Sequence, residues 1–172
     1  LEIERGMRVW EIGPGLGSMT KLLLDAGARV TAFEIDKGFI KLLSDFFKAE
    51  IEEGALRIVS GDAVKTWKSA YEDSGLPDRF FGNLPYSIAA SLIADTIESG
   101  ARFDKAVVTV QKEVADRMTA KEGGDARSSF SVLCQWAYDV KGLFDLASGN
   151  FWPKPHVASR AVVMTKKKDF PA

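Results

Sequence analysis

The chain has 172 residues, 46% of them hydrophobic, which suits one α/β domain with a sizeable buried core. With 23 Lys and Arg against 24 Asp and Glu, its net charge of −1 excludes a uniformly basic surface of the kind that binds polyanions without specificity. A lone Cys134 excludes an internal disulfide, a lone His156 excludes a histidine dyad or His-rich metal site, and no apolar run is long enough to span a membrane.

Val9-Trp10-Glu11-Ile12 reads as a buried strand running into Gly13-Pro14-Gly15-Leu16-Gly17 and then a helix from Ser18 to Leu24. Strand, glycine turn and helix start make a nucleotide cradle: Gly13 and Gly15 admit a ligand close to the backbone, and the first helical N–H groups are free to donate. A dinucleotide cradle wants Gly-x-Gly-x-x-Gly. Here the third glycine comes one place early and Ser18 fills its slot, which favours a ligand without a diphosphate.

The next strand, Arg29 to Glu34, ends in a carboxylate placed for a ribose diol, and Asp36 then N-caps a helix from Lys37 to Ala49. A third strand, Leu56 to Ser60, leads to Gly61-Asp62-Ala63, where Asp62 is either turn chemistry or an acceptor for an adenine amino group. A fourth, Arg79 to Gly82, runs into Asn83-Leu84-Pro85-Tyr86.

That tetrapeptide supplies what holds a planar amino group such as N6 of adenine. The N6 lone pair is delocalised into the ring, and acceptors on its two hydrogens draw the nitrogen towards tetrahedral geometry. Asn83 Oδ1 and the Leu84 carbonyl are candidate acceptors, Pro85 fixes the turn, and Tyr86 offers a face on which a base stacks for about 1–3 kcal/mol. An ordinary Asn-Pro turn with a half-buried tyrosine is the competing reading. Open α/β sheets bind ligands at the carboxyl ends of their strands, so these motifs are expected to share one crevice.

Farther on, Ser87 is expected to cap a helix from Ile88 to Glu98, Asp104 to Val110 reads as a parallel strand and Ser128 to Tyr138 as a helix. Val140 to Leu146 and Arg160 to Thr165 read as a closing antiparallel pair. Strands alternating with helices argue for a mostly parallel sheet with helices on both faces. Lys121 to Arg127, with its paired glycines, reads as a mobile loop. Local basic patches are sought at Lys112, Arg117, Lys121 and Arg127, and at Lys154, Arg160 and Lys166-Lys167-Lys168.

Glu11 to Gly17, Glu34, Gly61-Asp62-Ala63 and Gly82 to Tyr86 together resemble the ribosomal RNA adenine dimethyltransferase family, as do Gln111 to Arg117 and Phe151-Trp152-Pro153-Lys154-Pro155-His156-Val157-Ala158-Ser159. The resemblance spans roughly residues 9 to 165. It implies a Rossmann-like class I methyltransferase fold with seven strands, the last inserted antiparallel. It implies S-adenosylmethionine as cofactor and no metal, with Glu11, Gly13, Gly15, Gly17, Glu34, Ile35, Asp62, Ala63 and Asn83 binding that cofactor. Asn83, Leu84, Pro85 and Tyr86 would hold the target adenine, with Phe151 closing it against Tyr86.

The implied reaction is N6 dimethylation of two adjacent adenines near the 3′ end of small-subunit ribosomal RNA, by a cytoplasmic monomer acting on that RNA or on an immature subunit. The rivals are a large-subunit dimethyltransferase of the macrolide-resistance type, disfavoured by Leu84 in place of Ile, and a non-catalytic RNA- or cofactor-binding relative. The family's Gln-Asn-Phe-Leu segment is not found ahead of Val9, nor its small helical domain after the last strand, so the chain reads as a catalytic core shortened at both ends.

Overall fold

The computed structural model describes residues 1–84, 88–147, 149 and 157–168. Among them are seven strands: β1 (Arg8–Ile12), β2 (Arg29–Glu34), β3 (Leu56–Ser60), β4 (Arg79–Asn83), β5 (Lys105–Gln111), β6 (Tyr138–Leu146) and β7 (Ser159–Lys166). They form a mixed sheet in the order β3-β2-β1-β4-β5-β7-β6. The α-helices among the described residues are α1 (Ser18–Asp25), α2 (Lys37–Phe46), α3 (Lys48–Glu52), α4 (Ala63–Ser74), α5 (Ala89–Glu98), α6 (Lys112–Met118) and α7 (Ser129–Ala137). The chain divides into two compact units, Leu1–Asn83 and Leu84–Ala172.

In the N-terminal unit β1 lies between β2 and β4, and β2 also pairs with β3, all in parallel. Alternation along β1 sorts its side chains between two helical layers. Val9 joins Leu23 of α1, Leu43 of α2, Val30, Ala32, Leu56 and Phe47 in one apolar cluster. Trp10 points the other way and meets Trp67 of α4 edge-on at 6.4 Å, while Phe33 lies edge-on to it at 5.2 Å. Such aromatic pairs add about 0.5–1.5 kcal/mol each beyond the area they bury. Helices on both faces of these strands follow from that parity. The Arg8 guanidinium donates to the carbonyls of Ser74 and Leu76, and Arg8 N to Asp78 Oδ2 at 2.8 Å, which fixes the entry to β4 beside the start of β1.

The helix expected from Lys37 to Ala49 is two helices. Asp36 caps the first as read, its Oδ1 accepting from Gly38 N and Phe39 N. At Phe47 the backbone leaves helical angles and the ring enters the apolar cluster. Two further helices, α4 and α6, carry no counterpart in the sequence reading.

In the second unit β7 runs antiparallel to both β5 and β6, confirming the closing pair and the inserted antiparallel strand. The helix expected to reach Tyr138 stops at Ala137, because Tyr138 starts β6 with its hydroxyl buried and accepting from Phe103 N at 3.1 Å. Burial pushes that phenol up, and pushes the Cys134 thiol up to about 12, so this cysteine is an inert core residue. Ser128 caps α7 in a reciprocal box with Ser131. The segment from Lys121 to Arg127 is braced by Arg127, whose Nη1 donates to the Ala120 carbonyl and Gln135 Oε1. The Ser87 cap lies outside the described residues.

Gly17 shows how the cradle depends on this packing. Its φ is +80°, and a Cβ there would come within 2.6 Å of Phe47 Cε2 and 2.8 Å of Leu43 Cδ2. Gly17→Ala combines overpacking with left-handed backbone strain and is expected to lower unfolding free energy by about 2 kcal/mol or more in urea titrations.

Candidate functional site: a glycine cradle at the strand tips of the N-terminal unit

The carboxyl ends of β1, β2, β3 and β4 bring Gly13, Glu34, Asp62 and Asn83 to one edge of the parallel sheet. Gly13 N donates to the Phe33 carbonyl at 3.0 Å, so the chain leaving β1 stays bonded to β2. Gly13 has φ +69°, and a Cβ on it would lie 3.2 Å from the backbone oxygen of Asn83. The glycine therefore keeps open the space between the tips of β1 and β4. Gly17 closes the turn by donating to the Pro14 carbonyl and then starts α1.

Glu34 organises the adjoining tip. Its Oε1 accepts from Ile35 N at 2.8 Å and Asp36 N at 2.9 Å, and its Oε2 from Gly15 N at 3.3 Å. The Glu34 backbone carbonyl accepts from Gly61 N at 2.8 Å. A carboxylate offers about four lone-pair sites, so three backbone donors leave capacity for a hydroxyl.

Asp62 does two jobs at the tip of β3. It N-caps α4, with Oδ1 accepting from Val64 N at 3.0 Å and its carbonyl accepting from Lys65 N and Thr66 N. Capping uses part of the carboxylate's acceptor capacity and is compatible with a ligand amine on the remainder. Ala63, the first residue of α4, is buried beneath it. Ile35 stands out at 67% exposed and Leu16, in the glycine turn, at 64%. Apolar side chains beside a few fixed acceptors are the ordinary lining of a small-molecule site.

Glu11 is 1% exposed and shares the sheet face of Val9, beneath α1. Thr20 of α1 donates to its Oε2 at 2.7 Å. Burial lifts its carboxyl from 4.5 to about 7, against the lowering effect of the Thr20 bond. Thr20 was missed by motif reading, although its place at the start of α1, the turn of helix above Glu11, is the signal that finds it.

Asn83 is exposed at the end of β4. Leu84, described within the second unit, is 2% exposed and donates its N–H to the Thr109 carbonyl at 3.1 Å. Pro85, Tyr86 and Phe151 lie outside the described residues. Among the described residues no group of His, Cys, Asp or Glu is arranged to hold a metal ion.

A solved dimethyladenosine transferase from Plasmodium falciparum matches this structure with a TM-score of 0.83 at 30% identity, over 97% of this chain and 58% of that one. The 23S rRNA methyltransferase ErmE matches with a TM-score of 0.77 at 23% identity, over 97% and 64%, which bears on the fold alone. With the strand order above, these likenesses define a Rossmann-like class I methyltransferase fold. In sequence, the ribosomal RNA small subunit methyltransferase A of Treponema denticola is 48% identical over 99% of this chain and 58% of the relative, and that of Borreliella burgdorferi 38% over 98% and 58%. The family profile "Ribosomal RNA adenine dimethylase" matches residues 1–172. The chain belongs to the ribosomal RNA adenine dimethylase family, and it spans 58% of the length of these curated relatives.

The Glu11 carboxyl gives the site a pH signature. The unfolded chain ionises it at its ordinary 4.5 and the folded one at about 7, so its stabilising contribution is complete below 4.5 and is lost as pH rises to 7. Glu11→Gln, which keeps an acceptor for Thr20, is expected to raise unfolding free energy on the order of 2–3 kcal/mol at pH 8 and to change it little at pH 4, read from denaturant titrations at both values.

Proposed function

We propose that the protein uses S-adenosylmethionine to methylate N6 of adenine, placing two methyl groups on each of two adjacent adenines near the 3′ end of small-subunit ribosomal RNA during ribosome biogenesis in the cytoplasm. The observation that carries the reading is the cradle in which Gly13 holds open the gap to Asn83 while Glu34 and Asp62 present carboxylates at the neighbouring strand tips. Family membership and the names of the relatives supply the substrate class.

The residues present fit that cofactor. Its ribose diol needs an anionic acceptor, which Glu34 is, and its adenine amine another, which Asp62 is. Its bulk needs the gap that any Cβ at Gly13 would fill. Gly15 and Gly17 shape the turn, Glu11 underlies it, and Ile35 and Ala63 flank the two carboxylates. Bound there, S-adenosylmethionine supplies an electrophilic methyl group.

The chain's own contribution is orientation. Asn83 Oδ1 and the Leu84 carbonyl accept the N6 hydrogens of an unstacked adenine and direct the nitrogen lone pair, while Tyr86 and Phe151 sandwich the base and Pro85 sets the turn. Fixing reacting atoms in line is worth about 7–11 kcal/mol in favourable cases. No general base is required, because the methylated nitrogen is cationic and loses its proton to water. The adenine must leave its stack to enter, as for other enzymes that act on a base.

Labelled S-adenosylmethionine, given with the whole protein to undermethylated small subunits and separately to large-subunit RNA, is expected to mark two adjacent adenines of the small-subunit RNA. Label confined to large-subunit RNA, or none in either, overturns the reading. Asn83→Ala is expected to abolish transfer with RNA binding largely retained. Glu34→Ala is expected to weaken cofactor binding by about 1.5–3 kcal/mol in calorimetry, the worth of a charged hydrogen bond.

A further inference from the structure

Glu11 is the buried ionisable group of the cradle that the proposed reaction leaves without a task. Register sets it between Ala32 of β2 and Phe81 of β4, on the face of β1 that it shares with Val9. The apolar cluster on that face takes in Leu23 of α1 and Leu43 of α2. Its hydrogen-bond partner among the described residues is one neutral hydroxyl, that of Thr20. Two residues on comes Gly13, whose missing side chain keeps the gap to Asn83 open.

The charged groups of the elements packed around Glu11 are turned to solvent or otherwise engaged. Lys21 and Asp25 of α1 pair with each other at the surface, and Lys37, Lys41 and Asp45 of α2 are exposed. Arg79 of β4 donates to the carbonyls of Leu1 and Asp78, and Glu34 of β2 accepts from three backbone N–H groups. Burial therefore lifts the Glu11 carboxyl to about 7. Its protonated and ionised forms coexist near neutral pH, and one added charge decides between them.

We propose that Glu11 is the residue by which the cradle tells the methyl donor from its spent product: it gives up its proton to water when a ligand bearing a sulfonium occupies the gap beside Gly13, and takes one back when the ligand is the neutral thioether. The inference rests on the proposed cofactor and asks nothing of the adenine that receives the methyl group. S-adenosylmethionine and S-adenosylhomocysteine share their nucleoside and amino-acid ends, so Glu34 and Asp62 treat them alike. They differ by one methyl group and one positive charge, and in apolar surroundings a charge is felt more strongly than in water.

An ionised Glu11 attracts the donor. Once the bond from sulfur to methyl has broken and the bond from nitrogen to methyl has formed, the sulfur is neutral and that attraction is gone. The buried anion then has no counter-charge, takes a proton from water and returns to the form its apolar setting favours. Over one turnover Glu11 releases one proton and regains one, while the proton lost from N6 leaves separately, so the overall reaction is unaltered.

The test is carbon NMR of the whole protein with isotope-labelled glutamate carboxyls, the Glu11 signal being assigned by its loss in Glu11→Gln. The carboxyl is titrated across neutral pH in the free protein, with S-adenosylmethionine and with S-adenosylhomocysteine. Its midpoint is expected near neutral in the free protein, about one pH unit or more lower with S-adenosylmethionine, and close to the free value with S-adenosylhomocysteine. Calorimetry in buffers of different ionisation enthalpy is expected to show proton release on binding the donor that Glu11→Gln lacks. Relative to that variant, the preference for donor over product is expected to rise about fivefold as pH rises through the transition. The same comparison removes the contribution of the ligands' own amino groups.

A Glu11 midpoint that the two ligands leave at the same pH overturns the proposal, as does a carboxyl already ionised throughout the titration of the free protein. If neither ligand binds, the proposed cofactor falls and this role with it. If both bind and no methyl is transferred, the proposed reaction falls alone, and the titrations still decide for or against Glu11.

Discussion

Three strand tips of the N-terminal unit are joined through one residue, and the cradle has its shape because of it. Glu34 ends β2, its side chain binds Gly15 N beyond β1, and its carbonyl receives Gly61 N beyond β3. Loops at strand ends otherwise carry backbone donors that water must satisfy. Here the donors converge on a carboxylate, so the glycine turn is held without side chains of its own. The carboxylate's own charge, only partly offset by those donors, suits a cationic ligand with hydroxyls and disfavours a free phosphate. The departure from Gly-x-Gly-x-x-Gly and the buried acid beneath the turn point in that direction too.

Glu11 is the second acid of this region and behaves differently. Glu34 lies where three backbone N–H groups reach it; Glu11 lies on the apolar face with one hydroxyl partner. Burying a carboxylate with a single neutral donor is costly. A threonine in the first turn of α1 and a glutamate one residue before the end of β1 thus couple the helix that opens the cradle to the strand that supports it.

The strand ends were legible because each carries a chemical signal confined to a few residues: a glycine turn, an acid after an apolar run, an Asp cap at Asp36. α4 was not, because its buried positions are Ala63, Trp67 and Ala70, so alanine carries most of an apolar stripe that hydrophobic periodicity would otherwise announce. α6 has seven residues and buries Val114, Ala115 and Met118, too short a run to show a period. The break at Phe47 is set by tertiary packing, since the ring is drawn to the space above a glycine distant in sequence. Asp62 read as turn chemistry or as a ligand acceptor; its cap on α4 went unread because α4 itself did, and the same preceding glycine fits each of these roles. The Glu11–Thr20 bond joins strand to helix across the glycine turn, and only the place of Thr20 in the turn of helix above Glu11 signals it.

Charge pairing bears on how such a chain would meet RNA. Several cations singled out as local patches are already engaged: Lys112 and Arg160 with acids of their own unit, Arg127 with Glu122 and Gln135, Lys166 with Asp104, and Arg117 lies over the Phe130 ring. A lysine held by a carboxylate releases few counterions when a phosphate approaches, so these residues add little to the salt-dependent part of affinity. Their geometry serves the fold instead, with Arg160 the extreme case.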